Sequence, residues 1–296
     1  MKLFVSIFLL SVTILSNDYF IDKRTNIIIY FSINKNTFPK SWKTKKINAK
    51  GVSLSKKEYQ ITKRTIKKAL AKYPLSVIKN NLKAIYVLKK IEFYGQQYGG
   101  TNSTDTVYLT NNGIARNYSE HYIEQTFHHE FSSILLRNYP HYFDKEKWIN
   151  TNIKGFKYGK GGVNALKKKI ANQKFNRRIN KKGLLTQYSI SSLENDFNNF
   201  AQNIFLPSKN FKSILRKYKR LRQKRDIILR FYQRIDNQFT KQFFNEILYK
   251  KHKKYKKRKN KVSNNRKINK NGELIITFWY YCFDKKVFAG GKRNDR

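Results

Sequence analysis

A single cysteine, Cys282, rules out an internal disulfide anywhere in this chain of 296 residues. The fold must therefore stand on its own core even if the protein is exported. The length allows one large domain or two small ones. Acid is scarce as well: 18 Asp and Glu face 64 Lys and Arg, a formal charge of +46. Such an excess invites a polyanion or anionic surface as partner. Yet lysine outnumbers arginine 48 to 16, beside 31 asparagines. Phosphate-reading surfaces favour the arginine fork, so most of the lysine excess reads as AT-rich codon usage. No nucleic-acid recognition motif accompanies it. Long apolar runs are missing too. The run from Leu3 to Leu15 is too short for a comfortable membrane span. Behind Met1-Lys2 it reads as a signal peptide of residues 1–16, cut after Ser16, which predicts export to the periplasm or cell surface. Asn17 stands where a lipoprotein would carry its lipobox cysteine.

Residues 17–249 read as one domain and 250–296 as a basic, disordered tail. Asn26 to Ser32 is rich in β-branched and aromatic residues, which predicts a buried strand. Ser55 to Tyr73 predicts a helix capped by Ser55 and stopped by Pro74, with Thr62 the weak member of its apolar stripe. Leu75 to Asn81 predicts a further short turn. Ala84 to Phe93 alternates as a strand, Gly95, Gly99 and Gly100 mark a loop, and Thr106 to Thr110 is another strand. Ser119 to Asn138 is the clearest helix, with Ile123, Phe127, Phe131 and Ile134 on one stripe and Pro140 beyond its end. Phe156 to Gly162 reads as loop, and Gly183 to Ser191 as loop or short strand. Helices follow at Ser192–Leu206, Ile227–Tyr232 and Phe239–Leu248. Between Lys250 and Lys270 there are twelve Lys and Arg with no acid, a stretch expected to stay solvated and to meet anionic surfaces. The aromatic run from Leu274 to Phe283 is β-prone.

Four of the five histidines fall between His121 and His141. Two of them open His128-His129-Glu130-Phe131-Ser132-Ser133, one side chain short of H-E-x-x-H. That helical pattern holds zinc on two histidines at i and i+4, with the glutamate as general base. His129 and Ser133 project together at about 100° per residue, and Ser133 occupies the second histidine's position. A hydrolytic zinc takes three protein ligands and keeps a fourth position for water. Glu194 and Asp196 on the later helix are the carboxylates that could join His129, although acids also sit at helix N-termini for dipole reasons alone. Serine is a poor zinc ligand, since its hydroxyl must lose a proton that imidazole does not carry. Three other completions are open: rotation of His128, a return of His141, or a different face built from His121, Glu124 and His128.

The string Thr126 to Leu135, preceded by Gly99-Gly100-Thr101 and Val107-Tyr108-Leu109, resembles a bacterial zinc-binding metallopeptidase family. Its members include substrate-import-associated zinc metallohydrolase lipoproteins. Phe156-Lys157-Tyr158-Gly159, Thr186-Gln187-Tyr188, Glu194-Asn195-Asp196-Phe197 and Ala201 are similar to its later segments, as are Arg230-Phe231-Tyr232, Ile235-Asp236 and Phe239-Thr240. The resemblance covers roughly residues 18 to 249. It implies an α+β, zincin-like metallopeptidase fold: a mixed sheet over an active-site helix, with a helical C-terminal part. It implies His129 as a zinc ligand, Glu130 as catalytic glutamate, Glu194 or Asp196 as the acidic ligand, and Tyr188 as the site tyrosine. Ser133 departs from the family's second histidine, and Asn195 stands at one of the acidic places. The expected function is a degenerate zinc metallopeptidase, impaired or inactive, that still binds a peptide or protein. The alternatives are an active metallohydrolase with a rearranged ligand set and a polyanion binder acting through Lys250–Lys270. Val107–Leu109 is the expected cleft-side strand, able to receive an extended peptide by β-addition.

Overall fold

The computed structural model describes residues 18–159, 161 and 172–247, with two short strands further on. The leader and most of the basic stretch lie outside the described residues. The strands are β1 (Tyr19–Ile21), β2 (Ile28–Tyr30), β3 (Lys50–Val52), β4 (Ala84–Leu88), β5 (Lys90–Phe93), β6 (Gln96–Gln97), β7 (Gly100–Asn102), β8 (Thr106–Thr110), β9 (Arg266–Ile268) and β10 (Leu274–Ile276). The helices are α1 (Tyr59–Leu70), α2 (Leu75–Asn81), α3 (Glu120–Asn138), α4 (Lys145–Asn150), α5 (Arg177–Lys181), α6 (Leu193–Phe205), α7 (Lys209–Lys217), α8 (Lys219–Ile235) and α9 (241–247). Residues up to Ile247 cluster as one unit and Leu248–Arg296 as another. In the latter, β9 and β10 pair antiparallel, with Leu274 opposite Ile268.

The main sheet runs β1-β2-β4-β8-β7. β2, β4 and β8 are parallel, while β1 and β7 close the two edges antiparallel. This mixed α/β architecture agrees with the expected class. Alternation along the strands divides the sheet's faces. Ile29, Ile85, Val87, Val107 and Leu109 join Ile66, Leu70, Phe127 and Phe131 of α1 and α3 in the principal core. Tyr86 and Tyr108 point the other way and stack at 5.3 Å, under Phe38 and the small antiparallel sheet β3-β5-β6.

Three expectations need correction. Ser55 makes no side-chain cap, and α1 begins only at Tyr59, after a tight turn over Lys56–Glu58. The run from Ala84 to Phe93 is two strands in different sheets, with Lys89 between them donating its N–H to Val52 O. An alternating pattern cannot reveal that its two halves pair with different partners. The glycine loop is only partly a loop, because Gly100–Asn102 forms β7 on the open edge of the main sheet. Thr62 earns its place in α1 by polar means: its buried hydroxyl accepts from Asn111 Nδ2 at 2.9 Å. Ser119 caps α3 by accepting from Tyr122 N, and Ser192 caps α6 by accepting from Asn195 N.

Candidate functional site

α3 runs through the middle of the fold, and Ile123, Glu124 and the whole stretch from Phe127 to Leu135 are buried. Each polar side chain there must find a partner, because an unpaired buried group costs about 1–3 kcal/mol. The partners come mainly from α6. His129 Nδ1 lies 2.8 Å from Gln202 Oε1. An amide oxygen can only accept, so Nδ1 carries the proton of this bond and Nε2 is the ring nitrogen left for other partners. Ser133 Oγ accepts from Asn198 Nδ2 at 2.6 Å. Ser132 Oγ lies 2.7 Å from Asn198 Oδ1 and 2.8 Å from His129 O. Gln202 Nε2 reaches Asn199 Oδ1 at 3.4 Å. Asn195, Asn198, Asn199 and Gln202 stand at i, i+3, i+4 and i+7, so they form one amide stripe along α6. That spacing was readable in the chain, but the apolar repeat of the same helix masked it.

Glu130 points to the sheet edge. Its Oε2 accepts from Asn102 Nδ2 at 2.6 Å, and Asn102 Oδ1 accepts from Arg137. Arg137 also bonds Ser103 O and pairs with Glu194 at 3.5 Å. Burial raises the Glu130 carboxyl above the usual range and Glu194 adds to the rise, against the pull of His129, Asn102 and Arg137. Tyr188 stacks on the His129 ring at 6.1 Å. Burial raises its phenol, and the charge of Glu130 adds to that. Gly100 lies against the same carboxylate, since an added Cβ would meet Glu130 Cγ at 3.1 Å and Thr126 Cγ2 closer still. Asn102, Arg137 and Gln202 carried no sequence motif of their own.

Neither candidate acid pairs with His129. Glu194 is half exposed on its ion pair with Arg137. Asp196 is fully buried, and its Oδ2 takes Lys224 Nζ at 2.5 Å, Tyr158 OH at 2.7 Å and Trp148 Nε1 at 3.0 Å. His128 turns to the opposite side, where Nδ1 meets Tyr73 OH at 2.9 Å. His141 stacks edge-on against Tyr142. Among the described residues no three His, Cys, Asp or Glu side chains gather as a metal-binding group. Zinc does not fit this donor set. It offers one imidazole, and the hydroxyl at the second position already accepts an amide hydrogen.

The strand nearest the site also differs from expectation. β8 is interior, paired with β4 on one side and β7 on the other. The backbone bonds Thr110 N to Gly99 O and Ser103 N to Thr106 O fix the β7–β8 register. Antiparallel alternation then turns the N–H and C=O of Gly100 and Asn102 outward. No strand of the described residues covers that edge.

No family model matches the chain, and no curated protein matches it. A crystal structure from Bacteroides caccae, described as a "putative zinc-binding metallo-peptidase", is similar in shape. It is 14% identical over 77% of this chain and 86% of that one, with a TM-score of 0.47. At that distance the likeness carries no argument about activity.

Proposed function

We propose that this protein is a zincin-like, metallopeptidase-derived scaffold that has lost its catalytic zinc and binds extended peptides along β7. The observation that carries this reading is at position 133, where a serine hydroxyl held by the Asn198 amide replaces a second imidazole; His129, oriented through Nδ1 by Gln202, offers a single ring nitrogen. The first histidine and the glutamate of a H-E-x-x-H centre are present, but the second position is a serine whose hydroxyl is held within the protein. Glu130 beside one imidazole lacks the Lewis acid that would lower the pKa of an attacking water. Peptide addition needs no metal. The outward backbone groups of Gly100 and Asn102 offer a strand template, and Asn102, Glu130 and Arg137 stand next to it for side-chain recognition. The apolar leader makes export part of the proposal. A role for Lys250–Lys270 on anionic surfaces remains an expectation from charge.

Zinc quantification on the full chain tests the reading. The expected content is far below one zinc per chain, together with saturable binding of an extended peptide. Near-stoichiometric zinc that disappears in His129→Ala would overturn it.

A further inference from the structure

Away from that site, α4 and α8 flank an open surface cavity of about 410 Å³, lined by Lys147, Asn150, Thr151, Arg220, Gln223, Asp226 and Arg230. Arg220, Gln223, Asp226 and Arg230 recur at three- and four-residue spacing, so they are one stripe of α8. Lys147, Asn150 and Thr151 are the matching stripe of α4. Two packed helices normally close such a seam with apolar side chains or alternating charges. Here one acid faces three cations. Asp226 is held by its own neighbour Arg225 at 2.7 Å. Among the described residues, no carboxylate pairs with Arg220, Arg230 or the Lys147 ammonium.

We infer that this cavity is a binding site for a small diphosphate-bearing ligand. Two guanidinium forks and one ammonium supply charge and planar donor pairs for phosphate oxygens. The Asn150 and Gln223 amides add neutral donors. The volume is at the lower end of the roughly 300–1,000 Å³ of small-molecule sites, enough for a diphosphate with a modest organic group.

Calorimetric titration of the full chain with pyrophosphate, and in parallel with a nucleoside diphosphate, tests this. One saturable site per chain is expected, weakened roughly tenfold or more in Arg220→Ala/Arg230→Ala. Lys56→Ala/Lys57→Ala removes the same charge from an exposed turn elsewhere and should leave the affinity unchanged. Equal affinity for the two ligands assigns the site to the phosphates alone; tighter nucleotide binding assigns it to nucleotides. Both support the site. All four substituted side chains are exposed, and matching melting curves will show that the variants remain folded. No saturable binding, several equivalent sites, or equal weakening by both double substitutions would overturn the inference.

Discussion

At the level of single side chains, His128 and Glu124, which the sequence placed on one face as candidate metal ligands, make stability sensitive to acid. His128 is fully buried against Tyr73 and Phe205, with Glu124 Oε1 3.8 Å from Nε2. Burial lowers the imidazole to about 4, reinforced by Lys72 and only partly offset by Glu124. Burial by itself would raise Glu124, but His128 and Lys72 bring it down to about 2. An unfolded histidine titrates near 6.5. Between pH 6.5 and 4 only the unfolded chain takes up this proton, so the contribution is complete above 6.5 and shrinks as pH falls toward 4. The loss is on the order of 3 kcal/mol, because each pH unit across that window costs about 1.4 kcal/mol. Glu124 adds to it below about 4.5. Urea titrations from pH 7 to 4.5 should show this slope in the wild type and a much flatter one in His128→Gln. An unchanged slope in the variant would assign the effect to other groups. Asn198 is the other critical side chain, bridging Ser132 and Ser133. Asn198→Ala should cost about 1–3 kcal/mol by stranding those hydroxyls, read as a lower urea midpoint at unchanged m-value.

Between elements, the buried pair Lys224–Asp196 ties α8 to α6, while Trp148 and Asn152 tie both to the α4 segment. Lys224 Nζ also lies 4.9 Å from the Trp148 ring centroid. Burial opposes both charges, lowering the lysine and raising the aspartate, and their mutual attraction works against it. Removing one partner strands the other. Lys224→Met should cost about 3–5 kcal/mol, and Lys224→Met/Asp196→Leu markedly less than the sum of the single changes. Additive losses in a double-mutant cycle would mean the two groups act independently. The β7 edge gives a second prediction at this scale. A bound peptide that pairs with Gly100 and Asn102 should lose most of its affinity when its inward-facing amides are N-methylated, and keep it when the alternate amides are methylated. Equal sensitivity at both sets would exclude strand addition.

For the whole molecule, a net charge of +46 spread over 296 residues is a standing source of repulsion. The ion pairs that relieve it, such as Arg64 and Lys68 on Glu120, are surface pairs of small individual worth. Raising sodium chloride from about 0.01 to 0.3 M shortens the Debye length from about 30 Å to well under 10 Å. The melting temperature of the full chain should therefore rise across that range. A fall would show that native ion pairs outweigh the repulsion.

The strongest sequence signals were those in which local physics and burial agree. Ser119 and Ser192 announced their helices, Thr106 to Thr110 its strand, and Ile123, Phe127, Phe131 and Ile134 the face that packs on the sheet. The chain by itself also fixed that position 133 carries a hydroxyl and position 129 an imidazole, which leaves one ring where a zinc helix would have two. Tertiary structure alone decided what answers them. Asp196 and Asn198 lie two residues apart on α6, yet one faces Lys224 and the other Ser133. A helix turns about 100° per residue, so neighbours in sequence look into different parts of the core. Which part each meets depends on the docking of α8 and α3, set by packing over the whole fold and not by any local pattern. The same holds for β7: three residues that begin with the second glycine of Gly99-Gly100 read as loop until pairing with β8 turns them into an edge.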